Sequence, residues 1–141
     1  MTESKRVFLD TASVIYYLQK DAMYFEQVKN YFYSLRLSGA TFVSSDIMIA
    51  EYCVLPYRMK NDALLCALDG FIQAAQIEIV HTSGHIAKNA ARIRAEYPGF
   101  KAMDSLQLAT AMQSECDWFL TNDKQLQRFK EIKCLLVDDL V

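Results

Sequence analysis

Four acids stand where a single cleft could gather them. Asp10 follows the apolar run Val7-Phe8-Leu9. Asp123 follows a second apolar run, Trp118 to Thr121. Asp104 opens a small-residue stretch carrying Leu106, Leu108, Ala109, Ala111 and Met112 at helical spacing, and that stretch leads into the second run. Glu51 lies about two turns into another helical stretch, among Ala50, Tyr52, Cys53 and Val54. Carboxylates drawn into one place repel, and without a cation one or more would hold a proton at neutral pH. A hard divalent ion resolves this. Mg²⁺ takes oxygen ligands, is held by a few carboxylates plus substrate phosphates, and keeps waters. Such a site, with no histidine required, suits phosphodiester chemistry: a metal activates water for in-line attack and stabilises the leaving oxygen. The structural reading of the same residues is that Asp10 and Asp104 cap helices, Asp123 begins a turn, and Glu51 faces water.

The elements that must position these acids follow from hydrophobic spacing. Strands are expected at Val7–Leu9, Thr41–Ser44, Ile77–Val80, Trp118–Thr121 and Cys134–Val137. Helices are expected from Val14 to Leu18, Met23 to Leu37, after Ser44 or Ser45 as N-cap, Asp62 to Ala75, Ser83 to Tyr97, and from Asp104 to near Glu115 or Cys116. Gly39 suits the position just past the second helix. Pro56 marks a kink or an end of the third, although Tyr57-Arg58-Met59 can restart it. Leu126 and Phe129 suggest a short helix before the last strand. Strands alternating with helices imply parallel pairing through crossovers. The fold class is therefore α/β: one domain over residues 1–141, with about five parallel strands and helices on both faces. In open sheets of this kind, sites form at the carboxyl ends of the strands, which is where Asp10 and Asp123 fall.

The bulk composition narrows the classes. At 141 residues the chain fits one domain, and 52% hydrophobic residues exclude disorder. No apolar run reaches the ~18 residues of a membrane span. The start, MTESKRVFLD, lacks a signal-peptide core, so a cytoplasmic protein is expected. Cys53, Cys66, Cys116 and Cys134 form no C-x-x-C pair and are expected to be reduced, buried small hydrophobes. With His81 and His85 the only histidines, zinc is disfavoured, and neither histidine is assigned a role. The net charge of −2 does not announce a nucleic-acid binder, but a carboxylate site lowers net charge and bound cations restore it locally. Arg92, Arg94, Lys101, Lys124 and Arg128 could meet phosphate, though a solvated face is the more ordinary role. Tyr16, Tyr17, Tyr24, Phe25, Tyr31, Phe32 and Tyr33 exceed what one helical core needs, and the excess could serve a homodimer or a partner protein.

FLDTASVIYYL, SSDIMIAEY, KAMDSLQLATAM and FLTND, in this order, resemble the PIN-domain nucleases, and more narrowly the VapC-type toxins of bacterial and archaeal toxin–antitoxin pairs. The resemblance spans nearly the whole chain. It implies a PIN-like domain and an Mg²⁺-dependent endoribonuclease, with Mn²⁺ an alternative, that cuts by attack of water to leave 5′-phosphates. The acidic quartet falls on Asp10, Glu51, Asp104 and Asp123, with Asp10, Asp104 and Asp123 as metal ligands. On the same grounds Thr121 and Asn122 support the site, as do Thr11 and Ser44 or Ser45. The implied partners are RNA (tRNA or another structured RNA with single-stranded loops), a cognate antitoxin and a second copy of the chain; no membrane is implied.

Two other classes meet the same residues. A phosphoaspartyl phosphatase or receiver domain also places an Asp after its first strand. The phosphatase needs an acid two residues on, where Ala12 stands, and the receiver's acidic pair and late Lys are not convincing here. A PIN-fold RNA-binding or assembly subunit without catalysis is the non-enzyme alternative, and the intact quartet argues against it.

Overall fold

The computed structural model describes residues 4–140. Five strands, β1 (Arg6–Leu9), β2 (Thr41–Ser45), β3 (Glu78–Val80), β4 (Trp118–Thr121) and β5 (Lys133–Leu136), form one sheet in the order β3-β2-β1-β4-β5. Every pairing is parallel. Six helices connect them: α1 (Thr11–Leu18), α2 (Phe25–Leu37), α3 (Asp46–Arg58), α4 (Asp62–Ala74), α5 (Gly84–Glu96) and α6 (Ala102–Gln113). The chain winds outward from β1 to β3, then returns to add β4 on the other side of β1. The order therefore reverses between β1 and β4, and it is at the carboxyl ends beside such a switch point that open α/β sheets place their sites.

The alternation of side chains along each strand decides which helices cover which face. Val7, Leu9, Phe42 and Leu120 point to one face, packing with Val14, Val28, Phe32, Met48, Tyr52 and Leu68 from α1 to α4. Phe8, Val43 and Phe119 point to the other, under Ile86, Ala90 and Ile93 of α5 and Leu108, Ala109 and Ala111 of α6. Phe8 and Phe119, neighbours in register, stack with ring centroids 5.1 Å apart. Both are fully buried, a contribution of roughly 1.5–3 kcal/mol each.

The element boundaries repay comparison with the spacing that suggested them. The first helix starts three residues early, at Thr11, because Asp10 caps it, accepting from Thr11 N at 2.7 Å. The third helix runs through Pro56 to Arg58, so the proline neither ends nor restarts it. Gly39 closes α2 at φ 82°, as its position implies, but Lys20, Lys60, Gln76 and Glu115 follow α1, α3, α4 and α6 at φ 50–54° without being glycine. The short helix at Leu126 is a 3-10 turn, Lys124–Arg128. Val137 belongs to a final 3-10 turn rather than to β5.

One expectation needs correction, that of the cysteines, and another is refined, that of the aromatics. The cysteines are free, but Cys66 is exposed and Cys53, Cys116 and Cys134 are half-buried. Cys66 lies in the exposed part of the amphipathic helix α4, where apolar neighbours in sequence are not neighbours in space. The N-terminal aromatics mostly pack inward: Tyr17 meets Phe25, Phe32 and Phe71, and Phe32 meets Phe42. Of that group only Tyr33 is largely exposed; the other exposed apolar side chains include Val54, Leu55, Tyr57 and Met59 in the C-terminal half of α3 and just past it. Among the described residues no helix is long and apolar enough to cross a membrane.

Candidate active site

The carboxyl edge of the sheet carries a polar interior. Asp10, Thr11, Ser44, Ser45, Gln107 and Thr121 are buried there, several of them completely. Buried polar groups need partners, and these find one another. Asp10 takes three hydrogen bonds. Its Oδ1 accepts from Thr11 N at 2.7 Å and from Gln107 Nε2 at 2.8 Å, and its Oδ2 accepts from Thr121 Oγ1 at 2.7 Å. Thr121 stands beside it because β4 is the direct neighbour of β1, and Asp10 N itself donates to Leu120 O.

Glu51 reaches the same place from α3. It is exposed as a residue, yet its Oε1 accepts from Thr11 Oγ1 at 2.7 Å and from Gln107 Nε2 at 3.2 Å. The two readings of this residue therefore merge: the side chain faces both the water and the polar site. Asp104 lies in the first turn of α6 without capping it, since Lys101 holds the cap position and makes no side-chain bond there. Asp123 accepts from Gln125 N at 3.0 Å and so caps the 3-10 turn after β4.

The electrostatics tie the four acids into one group. Burial pushes the Asp10 carboxyl from 3.8 to about 6, against the hydrogen bonds from Thr121 and Thr11, with Asp104 and Glu51 adding repulsion. Asp104 is likewise raised, first by burial, then by Asp123 and Glu51, with Lys101 pulling the other way. None of the four forms a salt bridge among the described residues. They share a field rather than a closed coordination set: among the described residues no three His, Cys, Asp or Glu side chains stand close enough to hold a metal ion as they are. Their donor chemistry is nonetheless that of a hard cation, oxygen throughout. An ionised carboxylate offers about four lone-pair positions. Asp10 spends three, and Glu51 Oε2 makes no hydrogen bond among the described residues.

The supporting residues divide. Thr11 and Thr121 touch the acids directly. Ser45 N-caps α3, accepting from Met48 N, and donates to Gln107 Oε1 at 3.3 Å. Ser44 donates instead to Leu9 O at 2.7 Å, tying β2 to the end of β1. Asn122 gives its Nδ2 to the Tyr16 hydroxyl at 3.0 Å and makes no hydrogen bond to an acid; its buried Oδ1 has no partner. Among the basic residues, Arg92 is committed to Glu96 and Glu131, and Arg128 to Pro98 O and the Phe100 ring. Gln107 is the member that the hydrophobic pattern conceals. It sits between Leu106 and Leu108, and its signal is a polar side chain one helical turn after Asp104, on the same face.

A parallel five-stranded sheet covered on both faces, with acids at its carboxyl edge beside the switch point, defines an α/β domain with an acidic edge. The PIN domain family model matches residues 7–132, nearly all of the chain, which belongs to the PIN domain family. No curated protein matches the sequence significantly. Several solved structures are similar. VapBC2 from Rickettsia felis, bound to a DNA fragment from its promoter, shares 19% identity at a TM-score of 0.76 over 93% of this chain and 98% of that one. FitAcB from Neisseria gonorrhoeae shares 20% at 0.72, over 95% and 99%. VapC20 from Mycobacterium tuberculosis, a toxin that cleaves the Sarcin-Ricin loop, shares 15% at 0.59, over 80% and 86%. Likeness at these identities speaks for the fold.

Proposed function

We propose that this chain is a divalent-metal-dependent endoribonuclease and the toxin of a toxin–antitoxin pair. The observation that carries the reading is the convergence of Asp10, Glu51, Asp104 and Asp123 on one edge, where burial first and like charges after it raise Asp10 and Asp104, and no basic side chain forms a salt bridge with any of the four among the described residues. A protein that keeps such a cluster unpaired maintains electrostatic strain that a bound cation relieves.

In this reading Asp10, Asp104 and Asp123 hold Mg²⁺ or Mn²⁺, and Glu51 either completes the shell or orients the attacking water. The ion, when bound, supplies activation of that water and stabilisation of the leaving oxygen. Thr121 and the Thr11 amide hold the Asp10 carboxylate in one rotamer, and the Thr11 hydroxyl does the same for Glu51. Lys101, at the head of α6 beside Asp104, would then be the basic side chain available to a phosphate of the RNA. The toxin assignment draws support from a toxin–antitoxin complex from Klebsiella pneumoniae and the VapC20 toxin among the similar structures. An antitoxin and a second copy of the chain are the expected partners, and the exposed apolar side chains of α3 are available to either.

The test is cleavage of a mixed tRNA and rRNA pool with Mg²⁺ or Mn²⁺, wild type beside Asp104→Asn, with EDTA as control. Cuts made only by wild type with metal support the enzyme. The open spacing of the acids favours one second reading, a non-catalytic PIN-fold RNA-binding or assembly subunit. Folded wild type that neither cuts RNA nor takes up a divalent ion would decide for it.

A further inference from the structure

We propose that Gln107 is the positioning residue of this site: its side-chain amide holds Asp10 and Glu51 in fixed orientation and leaves an outer oxygen of each open to the cleft. The proposal rests on the reading of these acids as the cation-binding set.

The amide is completely buried and all of its polar atoms are engaged. Ionised carboxylates only accept, so the face turned to Asp10 and Glu51 must be the NH₂ group. One hydrogen goes to Asp10 Oδ1 at 2.8 Å. The other lies between Glu51 Oε1 at 3.2 Å and Thr11 Oγ1 at 3.3 Å. The opposite end is fixed as well. Ser45 Oγ already accepts from Met48 N, which turns its own proton toward Gln107 Oε1. The N-cap of α3 thus sets the direction of an amide on α6, and that amide orients acids carried by the β1–α1 junction and by α3.

The outcome is a division between inner and outer oxygens. Asp10 Oδ1 and Glu51 Oε1 each receive two donors. Asp10 Oδ2 receives only Thr121, and Glu51 Oε2 receives none among the described residues. A neutral donor is what the position requires. Lysine or arginine would neutralise the acids and compete with a cation, and an apolar side chain would leave buried carboxylate oxygens short of donors.

The test is calorimetric titration of Mn²⁺ alone into folded protein. Gln107→Met keeps the volume and removes both donors; Ser45→Ala keeps the amide and frees its direction; Gln113→Met, at the exposed end of α6, is the control. Thermal melting followed by circular dichroism establishes that each variant is folded. The expected result is affinity weakened roughly 10–100-fold in Gln107→Met, the range seen when residues that orient metal ligands are removed. Ser45→Ala should weaken it less, and Gln113→Met should match wild type. A space-filling role would lower melting temperatures and leave affinity alone. Folded Gln107→Met that binds Mn²⁺ within about twofold of wild type overturns the proposal while leaving the carboxylate site standing. Should Gln107→Met not fold, Ser45→Ala with wild-type affinity overturns it equally. Wild type that takes up no Mn²⁺ removes the site reading and this proposal together.

Discussion

The two ends of the sheet handle charge in opposite ways. At the amino edge Arg6 opens β1 and is surrounded by acceptors: its backbone N donates to Asp117 Oδ2 at 2.8 Å, its Nε to Ser114 O at 3.0 Å, and its guanidinium to Glu78 at 3.1 Å. Opposite charges meet there in partial contact with water, and both Asp117 and Glu78 have a partner in Arg6. At the carboxyl edge four acids converge without a salt bridge among the described residues, two of them with raised carboxyl groups. A fold that needed only stability would treat both ends alike. The difference separates structural carboxylates, which are matched, from those kept unmatched at a cost.

That contrast can be broken at either end. The largest effect expected is on activity. Asp10→Asn or Asp104→Asn should lower the rate of metal-dependent RNA cleavage by about 100-fold or more, since a catalytic cation is worth several kcal/mol. Full activity in either folded variant would sink the site assignment.

The next effect is on stability and runs the other way. The folded Asp10 carboxyl holds its proton up to about 6, against 3.8 unperturbed. Between those values the folded state binds more protons than the unfolded one, so stability falls as pH rises through the window. The shift corresponds to at most about 3 kcal/mol. Without metal, Asp10→Asn should therefore melt higher than wild type at pH 8 and equal to it below pH 4. Its amide suits the site, with the oxygen taking Thr11 and Gln107 and the NH₂ facing Thr121. Melting curves across pH check the sign; a variant less stable at pH 8 would contradict it.

At the amino edge the expected changes are smaller. Arg6→Ala should cost about 1 kcal/mol in urea unfolding, because half-exposed ion pairs and hydrogen bonds contribute modestly, and should leave cleavage unchanged. Smallest of all, Glu115→Gly at φ 54° should stabilise by about 0.5 kcal/mol, as glycine relieves the left-handed strain but loses more entropy on folding. A loss instead would mean that the helix end is held by more than its backbone.

Much of this was legible in the residues. Alternating apolar runs marked all five strands to within a residue or two, and Asp10 and Asp123 could be assigned to one edge because parallel strands deliver their carboxyl ends together. Asp104 was legible as an acid near the head of its helix, yet the start of that helix at Ala102 was not, since helix ends depend on capping and packing as well as spacing. Cys66 was misjudged because apolar neighbours in sequence say little about which face a helix will bury.

The order and type of the elements, the four acids and the parallel topology were determined by the sequence itself, because periodicity and chain connectivity are local properties. What only the tertiary structure decided is how those acids are held. Ser45, Gln107, Asp10, Thr11, Glu51 and Thr121 come from four separate stretches of chain, and the hydrogen bonds among them exist only once β1, β4, α3 and α6 have come together at one edge of the sheet. A buried glutamine in an apolar helix has no reason in its own neighbourhood; the reason lies some 97 residues away, at Asp10.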